Sequence, residues 1–351
     1  NMSDATASFI PLGAIIQSLY VAGTNIVLGF PSQKAYESHN ACFFGETIGR
    51  VANRVKGAKI DSLNGGQSYT LAANNGPNNL HGGVVGWGKK VWDGPKPVGV
   101  REIPAFEGKS DKIDGGESVQ FTLVSEDGDE GFPGKVEARV IYTVSKEKGE
   151  DGKEKVLLGI EYEAELLDGE VEETVINMTN HSYFNLTGGP SIEGTIITLA
   201  TNQYLPVDQG GIPTGGPVPY PNPAVKNGNV PFTLGAAEPD IDDCFIVNED
   251  PSSVPIDTRS LPLKKNLSAF HPESKIHLEV YSTEPAFQFY TGKYIDIPAV
   301  DGVPARKPRS GFCLEPSRWV NACNVPEWKG QMLLKKGEKY GCKILYRAWK
   351  E

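Results

Sequence analysis

The chain has 351 residues, 39% of them hydrophobic, with 40 Gly and 26 Pro. That is enough apolar side chain for a large core, cut into short elements by many turns. Its 44 acidic and 34 basic residues leave a formal charge of −10, and the basic residues form no long run, so neither nucleic acid nor a membrane surface is an expected partner.

No apolar stretch approaches the ~18 residues of a membrane-spanning helix, and the N-terminus lacks the basic-then-apolar pattern of a secretory signal. The five cysteines, at 42, 244, 313, 323 and 342, form no C-x-x-C pair. Reduced thiols and a cytoplasmic location are expected.

Early in the chain, Ile48-Gly-Arg-Val-Ala-Asn-Arg-Val55 offers Asn53 and the guanidinium fork of Arg54. The fork suits vicinal hydroxyls, although an Arg taken alone is more often a surface charge. Asn78-Asn-Leu-His-Gly-Gly83 is a Gly-rich loop that carries His81, a weak signal by itself. Val119–Ser125, Val136–Val144 and Leu157–Leu166 then alternate with period two and are rich in β-branched and aromatic residues, predicting strands. The polar stretch between Lys146 and Lys155 reads as a hairpin excursion.

In Thr174–Leu186 the same period puts Asn177, Thr179, His181, Tyr183 and Asn185 on one face, and Ile176, Met178, Phe184 and Leu186 on the other. So polar a face predicts the floor of a wet cleft, or else an exposed strand face with a bystander histidine. Turn residues fill 210–216. Asp242 sits among nearby acids that would cap or solvate, without the spacing of an EF-hand loop. Lys275–Tyr281 and Ala286–Tyr290 alternate again, with Gln288 facing away from Phe287 and Phe289.

Glu315 lies between Leu314 and Pro316. Desolvation there would raise its pKa toward the range of a general base; a structural pairing with Arg318 or Arg309 is the alternative. Lys343–Trp349 is the last alternating run. No helix pattern of about 12 residues with good caps occurs, no linker divides the chain, and no repeat of fixed period is visible. The predicted fold class is all-β, a single large antiparallel β-sandwich with residues 1–351 as one domain. Zinc spacings, dinucleotide and Walker loops and a G-x-S-x-G elbow are all missing, so no metal or cofactor is expected. The N-x-S/T matches at Asn1, Asn177, Asn180, Asn185 and Asn266 read as chance.

Taken in order, Gly49–Arg54, Asn79–Gly83, Thr179–Leu186, Tyr204–Asp208, Ile212–Gly215, Gln288–Gly292 and Gly311–Glu315 resemble the aldose 1-epimerase (galactose mutarotase) family. The likeness is in particular to fungal members, including the mutarotase half of the fused yeast 4-epimerase/mutarotase, with no Rossmann half expected ahead of it. It implies a galactose mutarotase-like sandwich that interconverts the α and β anomers of free hexoses such as galactose and glucose without a cofactor. In that family's mechanism Glu315 would be the general base on O1 and His181 the general acid on ring O5. Arg54, His81, Asp242 and Gln288, with Asn53 as a weaker candidate, would bind the small-molecule sugar. The pair requires His181 protonated and Glu315 ionised, a state their proximity should favour. One departure is Asp243, where many members carry histidine; it bears on sugar preference. Three other readings stay open: a hexose-6-phosphate 1-epimerase, which would need further Arg or Lys for the phosphate; a non-catalytic sugar-binding module; and a glycoside hydrolase pairing Glu315 with Asp242. Nothing in the residues sets an oligomeric state.

Overall fold

A computed structural model describes residues 6–109, 113–149, 152–225 and 227–351. The Asn1 sequon and residues 150–151, in the 146–155 excursion, lie outside the described residues.

Two antiparallel sheets carry the fold. The larger has nine strands in the spatial order Phe232–Thr233, Ile196–Leu199, Lys264–His271, Ile276–Ser282, Lys339–Lys350, Glu154–Leu166, Val136–Lys148, Ile113–Ser125 and Asp93–Ile103. The second has six: Tyr183–Phe184, Phe312–Ser317, Ala286–Tyr290, Asp242–Ile246, Gln203–Tyr204 and Val218–Pro219. The predicted strands are present, and most are longer than the alternation indicated. In Val136–Lys148, the side chains of Val136, Ala138, Val140 and Tyr142 are buried, while Glu137, Arg139 and Ile141 stay half-exposed. Its register with Glu154–Leu166 runs from Val136↔Leu166 to Lys148↔Glu154 without a shift. A slip of one residue would turn that whole apolar row to solvent, so the hairpin expected at 146–155 has a fixed register.

Val140, Ile160, Val280 and Ile344 of the larger sheet share one core cluster with Phe245, Phe287, Phe289, Phe312 and Leu314 of the smaller. Each such side chain contributes roughly 1.5–3 kcal/mol by leaving water. One face of the smaller sheet is thereby committed to the core. Its other face carries Cys244, Gln288 and Glu315 in one cross-strand row and Asp242, Tyr290 and Cys313 in the next.

The 174–186 segment departs from the regular strand that period two predicts. It breaks into Glu173–Val175, Thr179–Asn180 and Tyr183–Phe184, and each piece pairs with a different partner. Most of its polar residues are not wet: Asn177, Thr179, Asn180 and Ser182 are fully buried. Several are polar because they hold backbone from other segments. The Arg318 N–H donates to Asn177 Oδ1 (2.9 Å), and Asn180 Nδ2 donates to the Gly45 carbonyl (3.1 Å). Burial of Asn177, Asn180, Asn185 and Asn266 leaves no room for glycans at the sequons within the described residues.

The α-helix among the described residues, Gln33–His39, starts at Ser32, whose hydroxyl accepts from the Ala35 N–H (3.3 Å). At seven residues it is too short to announce itself by periodicity. No helix among the described residues is long and apolar enough to cross a membrane.

Candidate active site

The free face of the smaller sheet forms part of the wall of a cavity of about 790 Å³. Asn53, Arg54, His81, His181, Asp242, Gln288 and Glu315 all line it, so the fold brings together every candidate that the sequence singled out. Alternation does much of this. Gln288 lies directly across from Glu315, and both turn away from the core face that holds Phe287, Phe289 and Leu314.

Gln288 Nε2 donates to Asp242 Oδ1 (2.8 Å), while Gln288 Oε1 is a buried acceptor with no protein donor. Asp242 is open to the cavity yet ringed by protein, and this partial desolvation moves its carboxyl upward, opposed by Gln288 and Arg54. Asp243 is the register partner of Phe289, accepts from the Tyr220 hydroxyl (2.6 Å) and does not line the cavity.

His181 Nε2 stands 3.4 Å from Glu315 Oε1, and each residue is only 4% exposed. His181 Nδ1 lies 3.5 Å from Cys313 Sγ. The pairing of Glu315 with Arg318 or Arg309 does not occur. Arg318 meets the buried Glu284 at 3.2 Å, and Arg309 donates to the Gly235 and Pro239 carbonyls (3.0 and 3.1 Å).

The separation of His181 and Glu315 fits either an ion pair or a neutral pair, and burial acts on both groups. It pushes the Glu315 carboxyl well above the usual carboxylate range, helped by Asp242 and opposed by Arg54. It pushes the His181 imidazole down to about 3, with Lys89 adding to the effect. Burial thus opposes the expected charged pair, because desolvation penalises both charges at once.

His81 has a fixed tautomer. The Asn53 N–H donates to His81 Nδ1 (3.2 Å), so the neutral ring carries its proton on Nε2. Burial, with His181, Arg54 and Lys89 nearby, holds its pKa well below the ordinary value and keeps it neutral. Ligand atoms of His81, His181 and Glu315 lie within 4.8 Å of one another, a set that by type could hold a divalent ion. The Nε2 proton of His81 works against ligation through that atom. Arg54 donates from Nε to Asn75 Oδ1 (3.1 Å) and from Nη1 to Asn53 Oδ1 (3.4 Å). Gly211, at φ +74°, lets the 207–213 loop lie against this guanidinium, since a Cβ there would sit 2.9 Å from Arg54 Cζ.

Sequence reasoning missed Tyr290 and Phe43, both of which line the cavity. Tyr290 was legible, because it shares the alternating face of Gln288. Phe43 lies in a loop without period and gave no signal.

A buried carboxyl and imidazole 3.4 Å apart, beside open donors and acceptors, suit proton exchange with a polyhydroxylated ligand. The aldose 1-epimerase family model matches residues 1–347. The Schizosaccharomyces pombe protein named bifunctional protein gal10 is 36% identical over 99% of this chain and 44% of its own length. The galactose mutarotase of Sus scrofa is 36% identical over 90% of this chain and 82% of its own. The chain thus spans less than half the length of its bifunctional relatives. The fold matches a GalM/aldose epimerase homologue from C. elegans with a TM-score of 0.76 at 24% identity, covering 98% of this chain and 95% of that one. From the nearly full-length family match and these identities, the chain belongs to the aldose 1-epimerase family.

Proposed function

We propose that the chain interconverts the α and β anomers of free hexoses such as galactose and glucose by acid–base ring opening and reclosure. The observation that carries this reading is the buried Glu315–His181 pair, 3.4 Å apart, in a cavity with unused hydrogen-bonding groups. Anomer exchange takes one proton from the O1 hydroxyl and gives one to ring O5. We assign the first transfer to Glu315 and the second to His181. Once C1–O5 opens, Glu315 holds the proton and His181 is neutral, which is the distribution that burial favours. The site therefore stabilises the open-chain stage relative to the charged starting pair. Arg54 draws Glu315 back toward the carboxylate, so the starting pair is reached by one short proton move. Rotation about C1–C2 and reclosure with the roles reversed give the other anomer, by a route that uses protein groups alone.

In this reading Gln288 Oε1 accepts from a sugar hydroxyl, Asp242 and Asn53 accept from others, and Arg54 donates. His81 donates through Nε2–H to the oxygen on which charge develops. Arg54 is the only Lys or Arg among the described residues lining the cavity, which suits a neutral sugar better than a phosphate dianion. Kinship with proteins named galactose mutarotase supports the same substrate class. The two sheets share one core, in keeping with a single domain. The five cysteines are free, which suits a cytoplasmic setting.

Polarimetry of freshly dissolved α-galactose and α-glucose, with glucose 6-phosphate in parallel, tests the proposal. Faster exchange of the free sugars is expected. Greater acceleration of the phosphate would reverse the substrate class, and galactose binding without acceleration would leave a binding module.

A further inference from the structure

Behind His81 and His181 stands a loop whose groups take no part in the proposed proton transfers. Residues 40–46 leave the Gln33–His39 helix and run alongside His181. His181 N–H donates to the Glu46 carbonyl (2.9 Å), and Gly45 N–H donates to the His181 carbonyl (3.0 Å). Asn40 closes the loop on itself: its Nδ2 donates to Glu46 Oε1 (2.9 Å), and Phe44 N–H donates to Asn40 Oδ1 (2.7 Å). Lys89 clamps it. The ammonium donates to the Asn40 carbonyl (2.6 Å) and pairs with the buried Glu46 carboxylate. Gly88 is part of the fit, because a Cβ there would lie 2.1 Å from Glu46 Oε2.

Phe43 lies within this loop at φ +63°. A bulky residue holds that left-handed conformation against a steric penalty, and only where its surroundings over-determine it. Its ring centroid is 4.9 Å from that of His81 and 5.6 Å from that of His181. The two imidazoles meet edge-on at 5.1 Å, and Lys89 Nζ lies 4.8 Å from the Phe43 centroid. Three rings thus pack as a triangle, with an ammonium over one of them.

We infer that Phe43 is a positioning residue that fixes the two imidazoles relative to Glu315, and that the Lys89–Glu46 pair holds Phe43 in its left-handed conformation. The inference rests on the acid–base reading above. Burial pushes the Glu46 carboxyl up to about 7 against the pull of Lys89 and Asn40. For stability alone, a well-packed apolar pair would often serve as well or better. Here the pair fixes a loop beside the proposed acid. A misplacement of about 1 Å at a reacting group costs roughly 10²-fold in rate, which gives such a clamp a function.

The test compares Phe43→Leu, Phe43→Tyr, Lys89→Met and Lys89→Arg in the full chain. Two quantities are read: kcat and KM for galactose, and the histidine ring ¹⁵N signals of the sugar-free protein. Phe43→Leu and Lys89→Met are expected to lower kcat about 10- to 100-fold, with KM within about threefold, and to broaden the ring signals of both histidines. Phe43→Tyr and Lys89→Arg are expected to stay within about threefold of the wild type. A raised KM with kcat intact would overturn the proposal, making Phe43 a sugar-stacking surface; so would Leu and Tyr variants that behave alike. Should Lys89→Met fail to fold, the half-buried Phe43 position still carries the test. Should the unaltered chain prove inactive on sugars, the acid–base reading fails on that result, and unmoved ring signals in Phe43→Leu would independently overturn the positioning role.

Discussion

In the proposed reaction Glu315 and His181 share one transferable proton, and that makes each residue's contribution separable. Glu315→Gln keeps the size and removes the base; His181→Asn removes the acid. Each is expected to lower kcat by at least ~10², with an unfolding midpoint near that of the wild type. A near-normal rate in either variant would remove that residue from its role. The pH dependence follows from the same burial. A second proton must go to His181, whose pKa is depressed, so the loss of activity on acidification lies below the ordinary imidazole value of about 6.5. Loss of the shared proton comes from Glu315, whose pKa is raised, so the alkaline loss lies above the usual carboxylate range. Lowering the pH from about 7 to about 5 is therefore expected to cause no loss of kcat/KM. A fall centred near 6.5 in that direction would mean that His181 titrates like an exposed histidine.

At the scale of elements, the Phe312–Ser317 strand carries Glu315 on its free face, and its far end is secured by Arg318. That guanidinium is fully buried, faces Glu284 at 3.2 Å and donates to the Pro255, Ile256 and Gly341 carbonyls (3.1, 3.0 and 3.2 Å). Arg318→Met strands a buried carboxylate and is expected to cost about 3–5 kcal/mol in urea unfolding. Adding Glu284→Leu should recover part of it; no recovery would place the role of Arg318 in its carbonyl contacts instead. The neighbouring strand Ala286–Tyr290 was legible in the sequence, with Gln288 and Tyr290 on one face, because alternation fixes which residues share a face; Phe312–Ser317 showed no alternation to read, and Glu315 stood out only by its apolar flanks. Thr174–Leu186 was only half legible. Its polarity does mark a functional region, since His181 and Tyr183 reach the cavity. Yet Asn177, Thr179 and Asn180 are polar for internal reasons, and a pattern of polarity does not separate a wet face from one that binds buried backbone. Phe43, Asn75 and Gly211 come from loops, where no period links residue order to direction. Arg54 and His81 were placed by resemblance rather than by pattern, and they too lie beside turns.

For the whole molecule, the nine-stranded sheet is open and so has two edges. One is closed off by brevity, with Phe232–Thr233 only two residues long. The other, Asp93–Ile103, is 11 residues long and largely exposed, with Val98 38% and Val100 72% accessible. A flat edge of that length would template pairing with a second chain. Pro95 and Pro97 remove two backbone donors, Lys96 adds a charge, and three register shifts against Ile113–Ser125 twist the strand away from a regular ladder. These devices are expected to keep the edge from pairing with a second chain at high concentration. Replacing Pro95, Lys96 and Pro97 with Thr, Val and Thr is expected to give concentration-dependent association in size-exclusion chromatography with light scattering. None of the three lines the cavity, so turnover at low concentration should stay at the wild-type level. If the triple variant showed the same concentration dependence as the wild type, the twist imposed by the register shifts would be sufficient protection, and the prolines would matter only for the shape of the strand.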